Sequence, residues 1–164
     1  MMGPEELAGL LDRHGGALVL AARSWCACAE DVVQESFLKL ASQRPPPQDP
    51  VAWLYRVVRN AAISASRSDR RRVRRETHAA SAEWFAPSDD DRIDADAATV
   101  AMSALPPEER EAIALHLWGG HNFAAIGELT GTSAATAHRR YVGGLTRLRE
   151  RLGEPCPSQN FPKS

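Results

Sequence analysis

Apolar side chains recur at helical spacing through the first half of the chain. Leucines spread over residues 7–20 predict a first helix, and the glycines of residues 14–16 predict an interruption in it. A second helix is predicted over residues 31–40. Its buried stripe consists of three residues at i, i+4 and i+7, namely Val33, Phe37 and Leu40. This half of the chain therefore indicates helices that pack through one apolar face each.

Proline ends this second helix and delays the third. Four prolines between residues 45 and 50 predict a loop, because proline lacks the N–H group and restricts the residue before it. A third helix is then predicted from about Val51 through Asn60 and into a run of arginines. Its core-facing residues are predicted to be Leu54, Val57, Val58 and Ala61.

The second half of the chain predicts a shorter group of helices after a polar segment. Residues 79–96 are rich in alanine, serine and aspartate and are predicted to form a flexible acidic linker. Four helices are expected after it, over about 96–104, 108–118, 123–129 and 134–152. The tail, 153–164, holds three prolines and is expected to be disordered. The predicted fold class is all-α, with small domains at 5–78 and 97–152.

The predicted helices at 123–129 and 134–152 have the spacing of a helix-turn-helix. Ile126 and Leu129 face inward, Gly131 makes the tight turn, Ser133 caps the second helix and Ala137 allows close approach. In such a motif the start of the second helix contacts base edges and phosphates. The candidate DNA-binding residues are Ser133, Thr136, His138, Arg139 and Arg140. A plain helical hairpin is the alternative interpretation.

The distribution of charge along the chain says more about possible partners than the net charge of −1 does. Residues 67–75 hold six arginines and one aspartate, and residues 139–151 hold five arginines and one glutamate. Between them, residues 77–100 hold six acidic residues and one arginine. Two basic blocks separated by an acidic stretch indicate two sites on one polyanion. Solvated helix faces explain either block when it is taken alone.

Several classes of function are disfavoured. No apolar run approaches the roughly 20 residues that span a bilayer, and the N-terminus lacks a signal-peptide pattern, so a cytoplasmic location without membrane contact is expected. Cys26 and Cys28 have no second cysteine or histidine pair at ligand spacing, so reduced structural thiols are favoured over a metal site. Neither a glycine-rich phosphate loop nor a nucleophile motif is found. We expect no cofactor and no enzymatic activity.

Three motifs, in this order, resemble those of bacterial sigma factors. The segment DVVQESFL, residues 31–38, resembles the polymerase-docking helix of region 2, and WLYRVVRN, residues 53–60, resembles the promoter-melting helix that follows. LPPEER, residues 105–110, followed by the helix-turn-helix, resembles region 4. Their order and separation are similar to the extracytoplasmic-function type, which has regions 2 and 4 alone. The resemblance covers about residues 5–152.

The resemblance implies a transcription-initiation factor whose partners are core RNA polymerase, promoter DNA and an anti-sigma factor. It implies that the polymerase is bound by Asp31, Gln34, Glu35 and Leu38. It implies that Asn60 contacts an extruded base of the minus-ten element and that phosphates there are held by Arg56, Arg59, Arg67 and Arg70. Tyr55 is a candidate for stacking on bases, whereas Trp53 is expected in the core.

The second helix of the helix-turn-helix, predicted over residues 134–152, departs from the family's pattern in its middle. Val142-Gly143-Gly144 stands where basic or aromatic residues are common, so we expect this helix to lack a phosphate contact there. Each glycine is expected to cost the helix roughly 1 kcal/mol relative to alanine.

Two non-enzymatic alternatives stay open at this point. A helix-turn-helix regulator that does not join the polymerase leaves the motifs at 31–38 and 53–60 unexplained. An interaction protein that binds polymerase but not DNA leaves the arginine blocks unexplained.

Overall fold

The computed structural model describes residues 2–73 and 92–153, and this part of the chain contains seven α-helices and no strand. The first half supplies α1 (Pro4–Arg23), α2 (Ala29–Ser42) and α3 (Pro50–Val73). The second half supplies α4 (Arg92–Ser103), α5 (Pro107–Leu117), α6 (Phe123–Thr130) and α7 (Ala134–Leu152). The predicted all-α class is confirmed. The tail, and most of the segment predicted as a linker, lie outside the described residues.

The interruption predicted at residues 14–16 is wrong, because α1 runs unbroken from Pro4 to Arg23. Gly15 is buried, and a β-carbon on it would lie 3.1 Å from Leu11 Cδ1. Both atoms near that position belong to Leu11 of the same helix, so no neighbouring helix requires a glycine here. Tertiary packing of the rest of α1 outweighs the low helix propensity of its glycines.

The first three helices pack around the predicted apolar stripes. Val33 and Leu40 of α2 are buried, and Leu54 and Val58 of α3 meet them in the same core. Trp53 packs against this core as expected. Leu54 and Val58 are separated by one helical turn, which is why they share a face. The periodicity of the sequence thus identifies the inner faces of α2 and α3 correctly.

Tyr55 occupies a different place from the one predicted. Its side chain is only 3% exposed, and its ring meets that of His121 edge-on at 4.5 Å between centroids. Burial raises the pKa of Tyr55 to about 12. A buried ring offers no face to a nucleic-acid base, so the expected stacking role is wrong for this arrangement of the helices.

The two halves of the chain pack against each other. Helix α5 lies against α1, and α6 touches α3. Leu115, Ile126 and Ala137 from the second half join the same apolar core as the first three helices. A smaller cluster around Met102 and Ile113 holds α4, α5 and α7 together. Residues that are far apart in the sequence therefore meet at one helical interface.

Candidate polymerase and nucleic-acid interfaces

The face of α2 opposite its buried stripe is fully open to solvent. The four residues predicted there are all exposed and stand at i, i+3, i+4 and i+7: Asp31, Gln34, Glu35 and Leu38. Leu38 is 67% exposed, so this face carries an apolar side chain as well as polar ones. Two carboxylates, an amide and an apolar side chain on one face suit a protein partner.

An apolar groove adjoins this face and was missed by the sequence reasoning. It runs between α1 and α2 and is lined by Leu11, Gly15, Val19, Val33 and Phe37, with Glu30 and Gln34 at its edge. Leu11 is 50% exposed. The sequence signal that could have revealed the groove is Leu11, an apolar residue that lies outside the buried stripe of α1. The groove widens the candidate partner surface beyond α2.

A second surface follows one side of α3. Four predicted DNA-binding residues are exposed on it: Arg56, Asn60, Arg67 and Arg70. At about 100° per residue, these four positions fall within a sector of about 80°. Such a row of cations with one amide suits a strand of nucleic acid, since guanidinium groups hold phosphates and an amide pairs with a base edge.

Arg59 stands apart from this row. Its side chain is 21% exposed, and its Nε donates a hydrogen bond of 2.7 Å to Glu111 Oε1 of α5, which is 2% exposed. The guanidinium carbon also lies 5.5 Å from the centre of the Trp25 ring. Burial raises the pKa of Glu111, and the nearby Arg59 opposes this shift. The structure therefore separates Arg59 from the other predicted minus-ten residues.

The turn between α6 and α7 has the geometry expected of a helix-turn-helix. Ser133 Oγ accepts a hydrogen bond of 3.1 Å from Thr136 N and caps α7, and Gly131 has a φ of 68°. The predicted bounds of α7 are confirmed. Sequence reasoning missed Gly127, where a β-carbon would lie 2.7 Å from the carbonyl oxygen of Thr132. The two helices can cross only because that position has no side chain.

The candidate residues of α7 point in two directions. His138 and Arg139 are exposed, in line with Ala135 and Val142, and form the outer stripe of the helix. Arg139 Nη2 donates a hydrogen bond of 3.1 Å to Thr136 Oγ1, which orients the guanidinium along that stripe. Arg140 is half-buried on another side of the helix.

Two glycines lie in the middle of α7, and one of them packs closely against α5. Gly144 is buried, and a β-carbon on it would lie 2.8 Å from Ile113 Cδ1 and 3.2 Å from Glu109 Cβ of α5. The helix continues unbroken through both Gly143 and Gly144. Gly144 therefore lets α5 approach closely, which offsets its cost in helix propensity, whereas Gly143 is not required for this contact.

The described residues hold no group of three or more potential metal ligands. Cys26 and Cys28 are both free thiols. Burial, together with a hydrogen bond to Cys28, raises the pKa of Cys26 to about 12, so this thiol stays protonated near neutral pH. Of the described helices, none is long and apolar enough to cross a membrane.

Two family models match the two halves of the chain. Sigma-70 region 2 matches residues 10–72, and Sigma-70 region 4 matches residues 95–148. The first match covers α1 to α3, and the second covers the helix-turn-helix.

Individual relatives agree with these matches. The RNA polymerase sigma factor CarQ of Myxococcus xanthus is 36% identical over 134 residues, covering 78% of this chain and 76% of CarQ. The ECF RNA polymerase sigma factor SigJ of Mycobacterium tuberculosis is 33% identical over 154 residues, covering 82% of this chain and 47% of SigJ. The solved sigma factor RpoE from Bartonella quintana, in complex with the anti-sigma factor NepR, has a TM-score of 0.72 at 24% identity. That likeness covers 92% of this chain and 98% of RpoE.

The fold and the matched regions define a two-region sigma factor, a protein that binds core RNA polymerase and directs it to promoters. The chain belongs to the sigma-70 family, in its extracytoplasmic-function (ECF) group.

Proposed function

We propose that the exposed face of α2 binds core RNA polymerase, and that α3 and α7 contact the two promoter elements. The observation that carries this proposal is the exposure of Asp31, Gln34, Glu35 and Leu38 as one uninterrupted face. A leucine on the same face as two carboxylates can pack in a protein interface while basic residues of the partner meet the carboxylates.

The minus-ten element is assigned to α3. Arg56, Arg67 and Arg70 hold phosphates and set the register, while Asn60 contacts a base that has left the stack. Their alignment on one side of α3 supports this assignment, since a single strand can follow such a row. Arg59 joins this site only after its contact with Glu111 opens.

The minus-thirty-five element is assigned to the start of α7. Ser133 and Thr136 lie at the helix N-terminus, where N–H groups and hydroxyls meet phosphate. His138 and Arg139 form the exposed stripe that enters the major groove. Arg140 contributes to phosphate binding only if it leaves its half-buried position.

The remaining assignments rest on the family. We infer two domains at about 5–78 and 97–152, a cytoplasmic location beside the polymerase, and no chemical reaction of the chain's own. The structures of RpoE with NepR and of CnrH with the cytosolic domain of CnrY are complexes of this kind of fold with an inhibitor or partner. On that basis we propose an anti-sigma factor as a further partner.

The test reverses two charges on the face of α2. Asp31→Lys with Glu35→Lys should weaken binding to core polymerase at least about tenfold, because the acidic face becomes basic. Each substitution is exposed and should change the free energy of unfolding by under about 0.5 kcal/mol. Affinity is measured by titrating labelled protein with purified core polymerase.

The matched control is Glu5→Lys with Glu150→Lys, which makes the same change of charge at exposed positions away from α2. It should bind polymerase as the parent does. Equal affinity of the α2 variant and this control would contradict the assignment and favour a regulator that does not join the polymerase.

A further inference from the structure

Glu111 occupies an unusual position for an acidic residue. It lies in the middle of α5, is fully buried, and faces the first half of the chain. A carboxylate in such a place is unfavourable unless a cation pairs with it. Arg59, 52 residues earlier in the chain, supplies that cation across the interface.

This pairing engages Arg59 through the same chemistry that DNA would use. A guanidinium group recognises carboxylate and phosphate oxygens with the same planar donors. The Trp25 ring covers one side of the Arg59 guanidinium, and Glu111 holds its Nε. While this contact lasts, Glu111 occupies the Nε of Arg59 and the side chain is only 21% exposed, so fewer of its donors can meet a phosphate than those of a free arginine.

Other contacts hold the same interface closed. Arg110 Nη2 of α5 donates a hydrogen bond of 2.9 Å to the carbonyl oxygen of Ser24, at the end of α1. The two halves also share one apolar core, to which the second half contributes Leu115, Ile126 and Ala137. In contrast, the polymerase face of α2 stays exposed, and so do Arg56, Arg67 and Arg70 of α3. The closed arrangement therefore hides one promoter contact and leaves the polymerase face free.

We propose that Glu111 is an internal substitute for a promoter phosphate: it holds Arg59 while α5 is docked on α1, and lowers the affinity of the free protein for DNA. The proposal rests on the proposed role of α3 in binding the minus-ten element. It implies that separation of the two halves, for instance on the polymerase, adds one phosphate contact to the DNA site.

The experiment compares Glu111→Gln with the parent on a labelled single-stranded oligonucleotide of mixed sequence, without polymerase. The glutamine keeps the size of the side chain and removes its charge. Binding should tighten on the order of tenfold, the factor that corresponds to one charge-assisted hydrogen bond. The slope of log affinity against log salt should steepen by about 0.7, the value for one more phosphate contact on a single strand.

Two further variants separate the mechanism from a general change of charge. Glu5→Gln removes the same charge at an exposed position of α1 and should leave the salt slope unchanged. Arg110→Ala breaks the contact to Ser24 without touching Glu111, and should also tighten binding although it removes a positive charge. The Arg110→Ala variant therefore tests the proposal even if Glu111→Gln fails to fold.

The deciding comparison measures the effect of Glu111→Gln in a protein that also carries Arg59→Gln. If Glu111 acts by holding Arg59, Glu111→Gln should bring no gain of affinity in that background. A gain that persists without Arg59, or a Glu111→Gln variant that behaves as Glu5→Gln does, overturns the proposal. Promoter-dependent transcription by the parent with core polymerase is measured in parallel, so that failure of the minus-ten function is recognised separately.

Discussion

At the scale of single residues, glycines decide how closely the helices approach. Gly127 faces the backbone of the turn before α7, with Thr132 O at 2.7 Å and Ser133 C at 3.0 Å from the place a β-carbon would take. Backbone atoms in a tight turn cannot move aside as the end of a side chain does. Gly143, in the middle of α7, has its nearest neighbour, Glu109 Oε1, at an ordinary 3.4 Å.

Alanine should therefore have opposite effects at these two positions. Gly127→Ala should lower the free energy of unfolding by about 1–3 kcal/mol, because the added methyl overpacks the turn. Gly143→Ala should raise it by up to about 1 kcal/mol, the gain in helix propensity. Urea denaturation followed by circular dichroism measures both. Equal effects of the two substitutions would show that the turn has room that the structure does not indicate.

At the scale of elements, the direction of each side chain on α7 determines its role. Arg139 lies on the exposed stripe and is oriented by Thr136, whereas the adjacent Arg140 is turned by about 100° to a half-buried side of the helix. Only the exposed stripe is free to enter a groove. The two neighbouring arginines should therefore differ in how they affect the reading of a promoter.

We expect Arg139→Ala to reduce discrimination between intact and scrambled minus-thirty-five elements by roughly 1–3 kcal/mol, the size of one base contact. Arg140→Ala should leave that discrimination largely intact. Run-off transcription with core polymerase, from promoters that differ only in the upstream element, provides the measurement. A loss of discrimination that is as large for Arg140→Ala would mean that α7 lies in the groove with a different face.

At the scale of the whole molecule, the contact between the two halves places titratable groups in an apolar setting. Burial lowers the pKa of His121 below its ordinary value of 6.5, His14 adds to this shift, and Asp49 opposes it. The folded protein thus binds this proton less readily than the unfolded chain does, so His121 lowers stability as the pH falls through 6.5. Glu111, whose pKa burial raises, acts in the opposite direction, since its folded state binds a proton more readily.

The contribution of His121 is isolated by comparing two proteins that share Glu111. Between pH 7 and about pH 5.5, the parent should lose more of its free energy of unfolding than His121→Gln does, because His121→Gln lacks this half-buried imidazole. His138→Gln, a change at an exposed position of α7, should follow the parent. Parallel pH profiles for the parent and His121→Gln would show that this histidine is not linked to stability.

Most of the helical framework was predictable because it depends on local patterns. The i, i+4, i+7 stripe of Val33, Phe37 and Leu40 defines α2, and the cap at Ser133 defines the start of α7. The exposed positions of the candidate sites follow from the same periodicity, since a residue opposite a buried stripe faces solvent. The assigned roles of these residues depend on a resemblance to known proteins and stay predictions.

The sequence by itself thus determined the all-α class, the helix-turn-helix and the outward face of α2. Only the tertiary structure decided that α1 continues through Gly15, that Tyr55 is buried, and that Arg59 pairs with Glu111. The physical reason is sequence distance. Helical periodicity and caps are properties of a few adjacent residues, whereas Arg59 and Glu111 meet across 52 residues, where the packing of whole helices determines which side chains come together.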